Sequence, residues 1–440
     1  MADATTFKVL IASENVSMRM GGEASLGYYY AKLLSARGVE VWIVCHDRVR
    51  EELSASLPPV LLTRVRFVKD SLFQRVLYRC TSKIFPDRVN QLLVGQLLLA
   101  STQARSRRLV RSLVSREGIN VVFQPEPIAP KSLSFMYDVG APVVIGPMCG
   151  GLDFPPAFRG MDGRATRAAV ALGRALAQLL HRVVPGKLHA SALIVADCCT
   201  AKALPRGVRG KIYEVPESGV DLDLWKPIVR KAKANDDARP VRFVYSGRFV
   251  DWKGLPFLIE AFSSVVRRQS AVLELIGDGV ERPAIEALID RLRLRPHLVL
   301  HGWLSRKQSA AIVRECDVFV MPSLRECGGT AILEAMAQGL PVIVARWAGP
   351  CRYVDDGSGV RVDVSTRDGF VSGLADAMVR LGASPELRAA LGRGGIRRAR
   401  ENYYDWDSKA DRVLEILWEC RSSALSKEPA TSARLPIRSL

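Results

Sequence analysis

The feature that most constrains the fold is a strict alternation of short apolar runs and helical patterns in the second half of the chain. Between residues 241 and 364 the apolar runs are VRFVYSG, AVLELIGDG, LVLHGW, DVFVMPS, PVIVAR and GVRVDV. Strands that are apolar on both faces, and are joined through helices, belong to a parallel sheet covered on both sides. The pattern therefore predicts a Rossmann-like α/β domain over residues 241–400.

The first half of the chain carries the same pattern more loosely. An apolar run at 7–13 precedes a glycine pair and a helical pattern, and a second apolar run follows at 39–46, which predicts a βαβ unit with a glycine-rich first turn. Further buried strands are predicted at NVVFQP, PVVIGP and ASALIVAD. Because 440 residues exceed the usual size of one core, we expect another Rossmann-like domain over residues 1–220.

Polar segments mark the predicted boundaries. KAKANDDARP lacks apolar periodicity and ends in proline, so residues 221–240 are predicted to form a linker. A helical pattern occupies 401–420, and the small polar residues of 421–440 predict a disordered tail. Ligands of open parallel sheets bind beyond the carboxyl ends of the strands, so two such domains facing each other would form a cleft with one ligand on each side.

Composition excludes several classes of protein. No apolar run approaches the ~18 to 20 residues that cross a bilayer, and the N-terminus lacks the features of a secretory signal. The nine cysteines show neither CxxC nor Cys/His ligand spacing, which favours reduced thiols over disulfides or a metal site. These observations predict a cytoplasmic protein that contains no metal.

The net charge of +18 favours an anionic partner. Basic residues are densest over 64–118, and the leucine- and arginine-rich part at 89–118 suits a helix on an anionic membrane surface, peripheral to the inner face of the plasma membrane. A core helix followed by a solvated helix is the alternative interpretation. Sparse aromatic residues and the lack of a recognised motif predict no nucleic-acid partner.

The segment ECGGTAILE contains the strongest candidate site. A predicted strand ends shortly before it, and a helix is predicted to begin near Gly329 or Thr330. Unpaired amides at a helix N-terminus suit a phosphate, and glycine at 328 and 329 permits close approach of the backbone. Glu326 and Glu334 would then stand on either side of the anion. Because carboxylates bind hydroxyls, this arrangement predicts a nucleotide sugar, with sugars flanking its phosphates.

Two further loops are predicted to complete the site. The segment YSGRFVDWKG places Gly247, Arg248 and Lys253 on a strand-to-helix loop of the same domain. Their cations can neutralise a diphosphate and stabilise its charge as it leaves. From the opposing domain, Gly21 and Gly22 supply a second loop that a ligand can approach closely.

These segments together resemble the retaining glycosyltransferases of family 4. The residues that carry the resemblance are Gly21-Gly22, the SGVDLDLW turn at 218–225, Gly247-Arg248, Lys253-Gly254 and Glu326-x7-Glu334. It spans nearly the whole chain and is strongest over residues 240–400. It implies the GT-B fold, in which two Rossmann-like domains face each other across a cleft and a C-terminal helix crosses back to the first domain.

The resemblance also implies roles for the matching residues. Glu326 would hold hydroxyls of the donor sugar near the reacting carbon, while Arg248 and Lys253 would bind the diphosphate; these three are the catalytic candidates. Glu334 would bind the ribose hydroxyls. The donor-binding candidates are Glu334, Gly328, Gly329, Thr330, Gly247, Gly21 and Gly22.

The chain departs from the family pattern at several positions. Cys327 and Gly328 replace a glycine and an aromatic residue of the usual E-G-F-G. The segment VIGPMCGGLDF lacks the histidine that many members carry on the acceptor side, and the neighbouring FQPEPIAP carries a carboxylate instead. The acceptor-side candidates are therefore Glu126, Cys149 and Gly150.

The implied activity is retaining, metal-independent transfer of a hexose from a nucleotide sugar such as a UDP- or GDP-hexose. The acceptor would be a glycan or a polyprenyl- or other lipid-linked saccharide in cell-surface polysaccharide biosynthesis (exopolysaccharide, O-antigen or lipopolysaccharide). No bound cofactor is expected. The alternatives are a nucleotide-sugar epimerase or hydrolase of the same fold, which would need a placed acid/base pair, and a non-catalytic sugar-nucleotide-binding protein.

Overall fold

The computed structural model describes residues 6–72, 74, 76, 95–161, 163–228 and 239–426. Within these ranges the chain forms two parallel sheets, one in each half of the sequence. Helices cover both faces of each sheet, as the doubly apolar strands require.

The first sheet has seven strands in the order β3-β2-β1-β4-β5-β6-β7. The strands are β1 (Lys8–Ala12), β2 (Glu40–His46), β3 (Val65–Val68), β4 (Val121–Gln124), β5 (Val143–Met148), β6 (Ala192–Val195) and β7 (Lys211–Glu214). The helices of this half are α1 (Gly22–Ala36), α2 (Arg50–Ser56), α3 (Pro59–Leu62), α4 (Gly95–Glu117), α5 (Arg164–Val183), α6 (Gly186–His189) and α7 (Cys198–Ala203).

The second sheet has six strands in the order β10-β9-β8-β11-β12-β13. The strands are β8 (Val241–Ser246), β9 (Ala271–Ile276), β10 (Leu298–Gly302), β11 (Val318–Met321), β12 (Val342–Ala345) and β13 (Gly359–Val362). The helices are α8 (Leu255–Val265), α9 (Arg282–Arg291), α10 (Arg306–Glu315), α11 (Thr330–Ala337), α12 (Ala348–Tyr353), α13 (Arg367–Ala383) and α14 (Pro385–Arg398).

A last helix, α15 (Trp406–Leu425), returns to the first half of the chain. Its apolar face, which includes Trp406, Val413 and Leu417, belongs to the buried core around β1 and β4. Arg37, which follows α1, donates to Asp411 on the exposed side of α15 at 2.5 Å. The α/β class, the two facing Rossmann-like domains and the helix that crosses back are thus confirmed.

The first half also contributes to the second core. Phe154 and Phe158, which follow β5 in the sequence, are buried within the hydrophobic cluster of the second domain. The ring of Phe158 lies edge-on to Phe257 and Phe370, with centroid distances of 5.3 and 5.8 Å. Each domain therefore completes its core with residues from the other half of the chain.

Three details differ from the sequence prediction. Strand β3 was not predicted, because its four residues include Arg66 and lie in the basic segment. Helix α15 continues to Leu425, so the predicted tail was wrong over 421–425. Residues 427–440 and the linker residues 229–238 lie outside the described residues.

The predicted membrane segment 64–118 is described in part. In α4, the side chains of Val110, Leu113 and Val114 are buried in the core of the first domain. Its apolar face thus packs on the sheet, as the alternative interpretation of a core helix proposed, while residues 77–94 lie outside the described residues. Across the described ranges, no helix combines the length and apolarity needed to cross a bilayer.

Candidate active site

The candidate residues gather where the strand order reverses in each sheet. In the second sheet this point lies between β8 and β11, and in the first sheet between β1 and β4. Loops that follow adjacent strands diverge there and leave a crevice at the carboxyl ends of the strands. The loops after β8 and β11 carry the predicted diphosphate and sugar residues, so topology alone brings them together.

Glu326 and Lys253 form an ion pair in this crevice. Lys253 Nζ contacts Glu326 Oε2, and the two side chains are 12% and 18% exposed. The loop of Lys253 lies close to the end of β11 because Gly254 has a φ of +71°, and a Cβ there would lie 2.3 Å from the carbonyl oxygen of Pro322. Glycine at 254 is therefore required for the pair to form.

The helix N-terminus predicted at Gly329–Thr330 is present. Gly329 has a φ of +117° and α11 begins at Thr330, so the amides of the first turn point into the crevice without a side-chain cap. The amide of Gly349 on α12 donates to the carbonyl of Glu326 at 3.0 Å. These contacts hold the loop and leave the amides of the helix start for a ligand.

Gly328 packs directly on a buried acid that follows β7. A Cβ at 328 would lie 2.0 Å from Glu217 Oε1 and 2.1 Å from Ser218 Oγ. Burial raises the pKa of Glu217, and the charge of Lys409 on α15 opposes that shift. Lys409 donates in turn to the backbone carbonyls of Pro216 and Ser218. Gly328, at the position where the family usually has an aromatic residue, thus lies next to a carboxylate.

Glu334 is connected to the first domain through Arg306. Arg306 Nη2 donates to Glu334 Oε1 at 2.9 Å, and Arg306 Nη1 donates to Tyr29 Oη on α1 at 2.5 Å. Tyr29 also donates to Asp221 Oδ2 at 3.3 Å and stacks on Trp406 with centroids 4.2 Å apart. Burial raises the pKa of Glu334, whereas the guanidinium of Arg306 lowers it.

The glycine pair faces the same crevice from the first domain. Gly21 has a φ of +106° just before α1, and a Cβ at either Gly21 or Gly22 would meet no atom within 4 Å. The adjacent Glu23 interacts electrostatically with Arg248, which partly offsets the rise in the pKa of Glu23 caused by burial. Arg248 and the start of α1 are therefore neighbours across the cleft.

The second domain matches a known family model, described as glycosyl transferases group 1, over residues 229–398. The family match is confined to this domain, which is 170 of the 440 residues. Among curated relatives, the lipopolysaccharide core biosynthesis glycosyltransferase LpsE of Rhizobium meliloti is 36% identical over 190 residues, which is 43% of this chain and 53% of the relative. The chain thus spans about half the length of the curated relatives it matches.

Solved structures agree along nearly the whole chain. Sucrose-phosphate synthase of Thermosynechococcus elongatus has a TM-score of 0.66 at 18% identity, over 95% of this chain and 100% of that chain. Anabaena HepE in complex with UDP-glucose has a TM-score of 0.61 at 16% identity, over 94% and 99% of the two chains. At these identities the likeness establishes the GT-B fold, including the first domain that the family model does not cover.

The acceptor-side candidates lie in two places, and both Cys149 and Glu126 are buried. A hydrogen bond to Cys327 and burial raise the pKa of Cys149 well above its usual value, so these two thiols meet between the domains. Gly150 follows with a φ of +148°, and a Cβ there would lie 2.8 Å from Pro130 Cδ. Cys149 and Gly150 thus border the loop of Glu326.

Glu126 lies beside the loop that follows β1. Its Oε2 accepts from Ser13 Oγ at 2.6 Å and from the amide of Asn15 at 3.0 Å. Burial raises the pKa of Glu126 to about 7, against the lowering effect of these two donors. The structure therefore gives Glu126 a bracing position, and its acceptor role stays a prediction.

A cavity of about 380 Å³ lies between the domains beside Cys327. Arg352 contributes to its lining and forms an ion pair with the buried Asp197 of the first domain. Within the described ranges, no group of three or more His, Cys, Asp or Glu side chains is placed to hold a metal ion.

Sequence analysis missed Arg306, Tyr29 and Glu23 as site residues. Arg306 begins the helix after β10, which is the same edge of the sheet that carries Lys253 and Glu326, so its loop position was an available signal. Tyr29 and Glu23 lie on the helix that follows the glycine pair. Their contacts join residues more than 200 positions apart, as with Tyr29 and Arg306 at a separation of 277, and periodicity carries no information on such pairs.

Proposed function

We propose that the chain is a retaining hexosyltransferase that transfers a sugar from a nucleotide sugar to a glycan or lipid-linked acceptor. The observation that carries the proposal is the Glu326–Lys253 pair at the open N-terminus of α11. From the first domain, Gly21 and Gly22 have open space beside their backbone and precede Glu23, which interacts electrostatically with Arg248. A carboxylate, a cation and free amides converge there, which suits a sugar joined to a diphosphate.

Each group has a chemical task in this proposal. Glu326 holds hydroxyls of the donor sugar, and the anomeric carbon develops positive charge as the diphosphate leaves. Arg248, Lys253 and the amides at Gly329–Thr330 stabilise the charge on the leaving diphosphate. The leaving phosphate assists removal of the proton from the acceptor hydroxyl, which attacks from the same face and retains the anomeric configuration. No step requires a metal ion.

Donor binding would rearrange the contacts of Glu334. In the structure its Oε1 accepts from Arg306, so the ribose hydroxyls would share the carboxylate with Arg306 or replace it. Because Arg306 also bonds Tyr29 of the first domain, occupancy of the nucleotide site and closure of the cleft would be linked. Closure excludes water and so limits hydrolysis of the donor.

The proposed pathway is the assembly of cell-surface polysaccharide. It is supported by the name of the relative LpsE, a lipopolysaccharide core biosynthesis enzyme, and by the sugar nucleotide bound in HepE. We propose UDP- or GDP-hexose as donor, and a saccharide on a polyprenyl or other lipid as acceptor.

The test begins with a thermal-shift screen of nucleotide sugars, followed by turnover assays with and without a cell lipid extract and with EDTA. Acceptor-dependent release of nucleoside diphosphate, an α-linked product from an α-linked donor, and insensitivity to EDTA are expected. Turnover that is equally fast without acceptor would instead establish an epimerase or hydrolase, and tight binding without turnover a binding protein.

Substitution of Glu326 tests the central assignment. We expect E326A to lower transfer ~10²-fold or more while the melting temperature changes little, since the side chain lies at the surface of the crevice. E401Q, which alters an exposed acid just after the end of α14, is the matched control. Near-normal transfer by E326A would remove this residue from the reaction.

A further inference from the structure

Two thiols from different domains meet beside Glu326. Cys149 follows β5 of the first domain, and Cys327 lies in the loop after β11 of the second. Both are free cysteines, and a hydrogen bond joins their side chains. Sulfur atoms that share a hydrogen bond lie side by side, which is the arrangement from which a disulfide forms. Cys149 and Cys327 are called the thiol pair below.

Helix α7 connects the loop of Cys149 to the second domain. The amide of Gly150 donates to Thr200 Oγ1 on this helix at 3.3 Å. On the same helix, Cys199 Sγ accepts from Arg352 Nη2 at 3.5 Å. The loop of Cys149 is therefore held, through α7, against α12 of the second domain.

Helix α12 also supports Cys327. A Cβ at Gly349 on this helix would lie 1.7 Å from the carbonyl oxygen of Cys327, and the amide of Gly349 donates to the carbonyl of Glu326 at 3.0 Å. Arg352, one turn further along α12, lines the same cavity as Cys327. Backbone contacts thus bring the two halves of the thiol pair together independently of their own hydrogen bond.

The two thiols differ in their access to solvent. Cys149 is 8% exposed, whereas Cys327 is partly exposed and borders the cavity of about 380 Å³ between the domains. A water molecule occupies about 30 Å³ of the liquid, so a small hydroperoxide has ample room there. Because oxidation of a thiol follows its accessibility, Cys327 is expected to react first and Cys149 second.

We propose that the thiol pair is a redox modification site, at which a hydroperoxide converts Cys149 and Cys327 into a disulfide that links the two domains. The hydroperoxide transfers one oxygen atom to Cys327, which becomes a sulfenic acid, and is itself reduced to an alcohol, or to water if it is hydrogen peroxide. The sulfur of Cys149 then attacks the sulfur of Cys327. The S–S bond forms as the S–O bond breaks, and the hydroxyl leaves as water with the proton of Cys149.

Two other thiols lie close to the pair. Cys199 interacts with Cys327 through its charge and with the adjacent Cys198 through a hydrogen bond. The sulfur of Cys199 is engaged by Arg352, and a disulfide between consecutive residues would close a small, strained ring. Neither alternative matches the direct contact of Cys149 with Cys327, and the experiment below distinguishes all three bonds.

The expected effect on transfer rests on the proposed function. Cys327 adjoins Glu326, which would hold the donor sugar, and Cys149 is an acceptor-side candidate, so the disulfide would fix both sides of the cleft. A covalent link between the domains also opposes the opening and closing that turnover requires. We therefore expect the oxidised protein to be inactive until a dithiol reduces the bond.

Peroxide treatment of the full chain, followed by peptide mapping without reductant, tests the site. We expect a Cys149–Cys327 disulfide, a melting temperature at least ~3 °C above that of the reduced protein, and transfer slowed at least ~10-fold. Dithiothreitol should reverse all three changes. C327S should form no link between the domains and should keep its own reduced activity after peroxide treatment. In C149S the sulfenic acid has no partner, so dimedone should label Cys327.

C198S is the matched control, because it removes an exposed thiol from the same region and should be linked and inhibited as the parent chain is. Absence of a disulfide, a disulfide that contains Cys199 in place of Cys149, or a mapped Cys149–Cys327 link with unchanged transfer would each overturn the proposal. Mapping and melting temperature do not require turnover. A chain that is inactive even when reduced would therefore refute the proposed function, while the mapping would still decide whether the link forms.

Discussion

At the scale of single residues, the departures from the family pattern are compensated by their neighbours. Gly328, where relatives of the family carry an aromatic residue, leaves space that Glu217 and Ser218 approach. Cys327 likewise meets Cys149 of the first domain. The sequence showed that these positions were unusual, but a substitution and its partner lie on different segments, so their pairing emerges only in the folded chain.

Restoring the aromatic residue tests this compensation. G328F should destabilise the protein by about 2–3 kcal/mol and abolish the thermal shift caused by nucleotide sugar, because even its Cβ would collide with Glu217 Oε1 at 2.0 Å. The double variant E217A/G328F should recover a large part of both the stability and the thermal shift, because the two residues are neighbours whose effects are coupled. Equal losses in the single and double variants, measured by thermal unfolding, would show that Glu217 does not shape this position.

Glu126 makes stability depend on pH. Its pKa rises from 4.5 to about 7 in the folded protein, so the folded state keeps a proton that the unfolded state releases. Stability is therefore lost as the pH rises from about 4.5 to 7, by about 3 kcal/mol in total. The melting temperature of E126Q relative to the parent should increase between about pH 5 and pH 8. E51Q, on an exposed face of α2, is the control, and a pH-independent difference for E126Q would contradict the assignment.

At the scale of elements, alternation of apolar runs was sufficient to predict every strand of the second sheet. The pattern works because a strand buried on both faces must be apolar throughout. It fails for β3, where Arg66 interrupts four residues at the sheet edge. The sequence predicted the parts of the candidate site that lie on loops after adjacent strands. It did not predict the contact between Arg306 and Tyr29, whose side chains come from different domains.

The turn before α8 offers a test at this scale. G254A forces a side chain into a left-handed backbone conformation and toward the carbonyl of Pro322, only 2.3 Å from its Cβ. We expect a loss of about 2 kcal/mol in stability and a further loss of transfer activity, because Lys253 would move away from Glu326. G160A, where a Cβ would meet nothing within 4 Å, should leave both properties unchanged. Full activity in G254A would show that the geometry of this turn is dispensable.

At the scale of the whole molecule, the two domains are joined by exchanged core residues as well as by the linker. Trp406 and the apolar face of α15 complete the first core, and Phe154 and Phe158 complete the second. The polar contacts Tyr29–Arg306 and Asp197–Arg352 span the same cleft. Motion between domains is therefore constrained at two crossings, which favours a hinge over free separation.

Phe158 provides the matching prediction. F158A should destabilise the second domain by about 3–5 kcal/mol although the residue precedes the linker, because its ring is buried between Phe257 and Phe370. Urea unfolding followed by limited proteolysis reports which domain loses protection. F7A, which removes a ring stacked on Trp418 at 4.0 Å, should instead expose the first domain. Unchanged protection of the second domain in F158A would exclude a shared core.

This exchange of core residues bears on how such a protein can be recombined. Consider a hybrid that takes residues 1–220 from one relative and 241–440 from another. Its phenylalanines at 154 and 158 would come from one protein and the core that surrounds them from the other. The same mismatch would arise between the C-terminal helix and the first core on which it packs. The natural cut for building a chimaera is therefore not the linker alone. Residues 154–158 should be taken from the same relative as the second half, and residues 406–420 from the same relative as the first half, so that each core is complete.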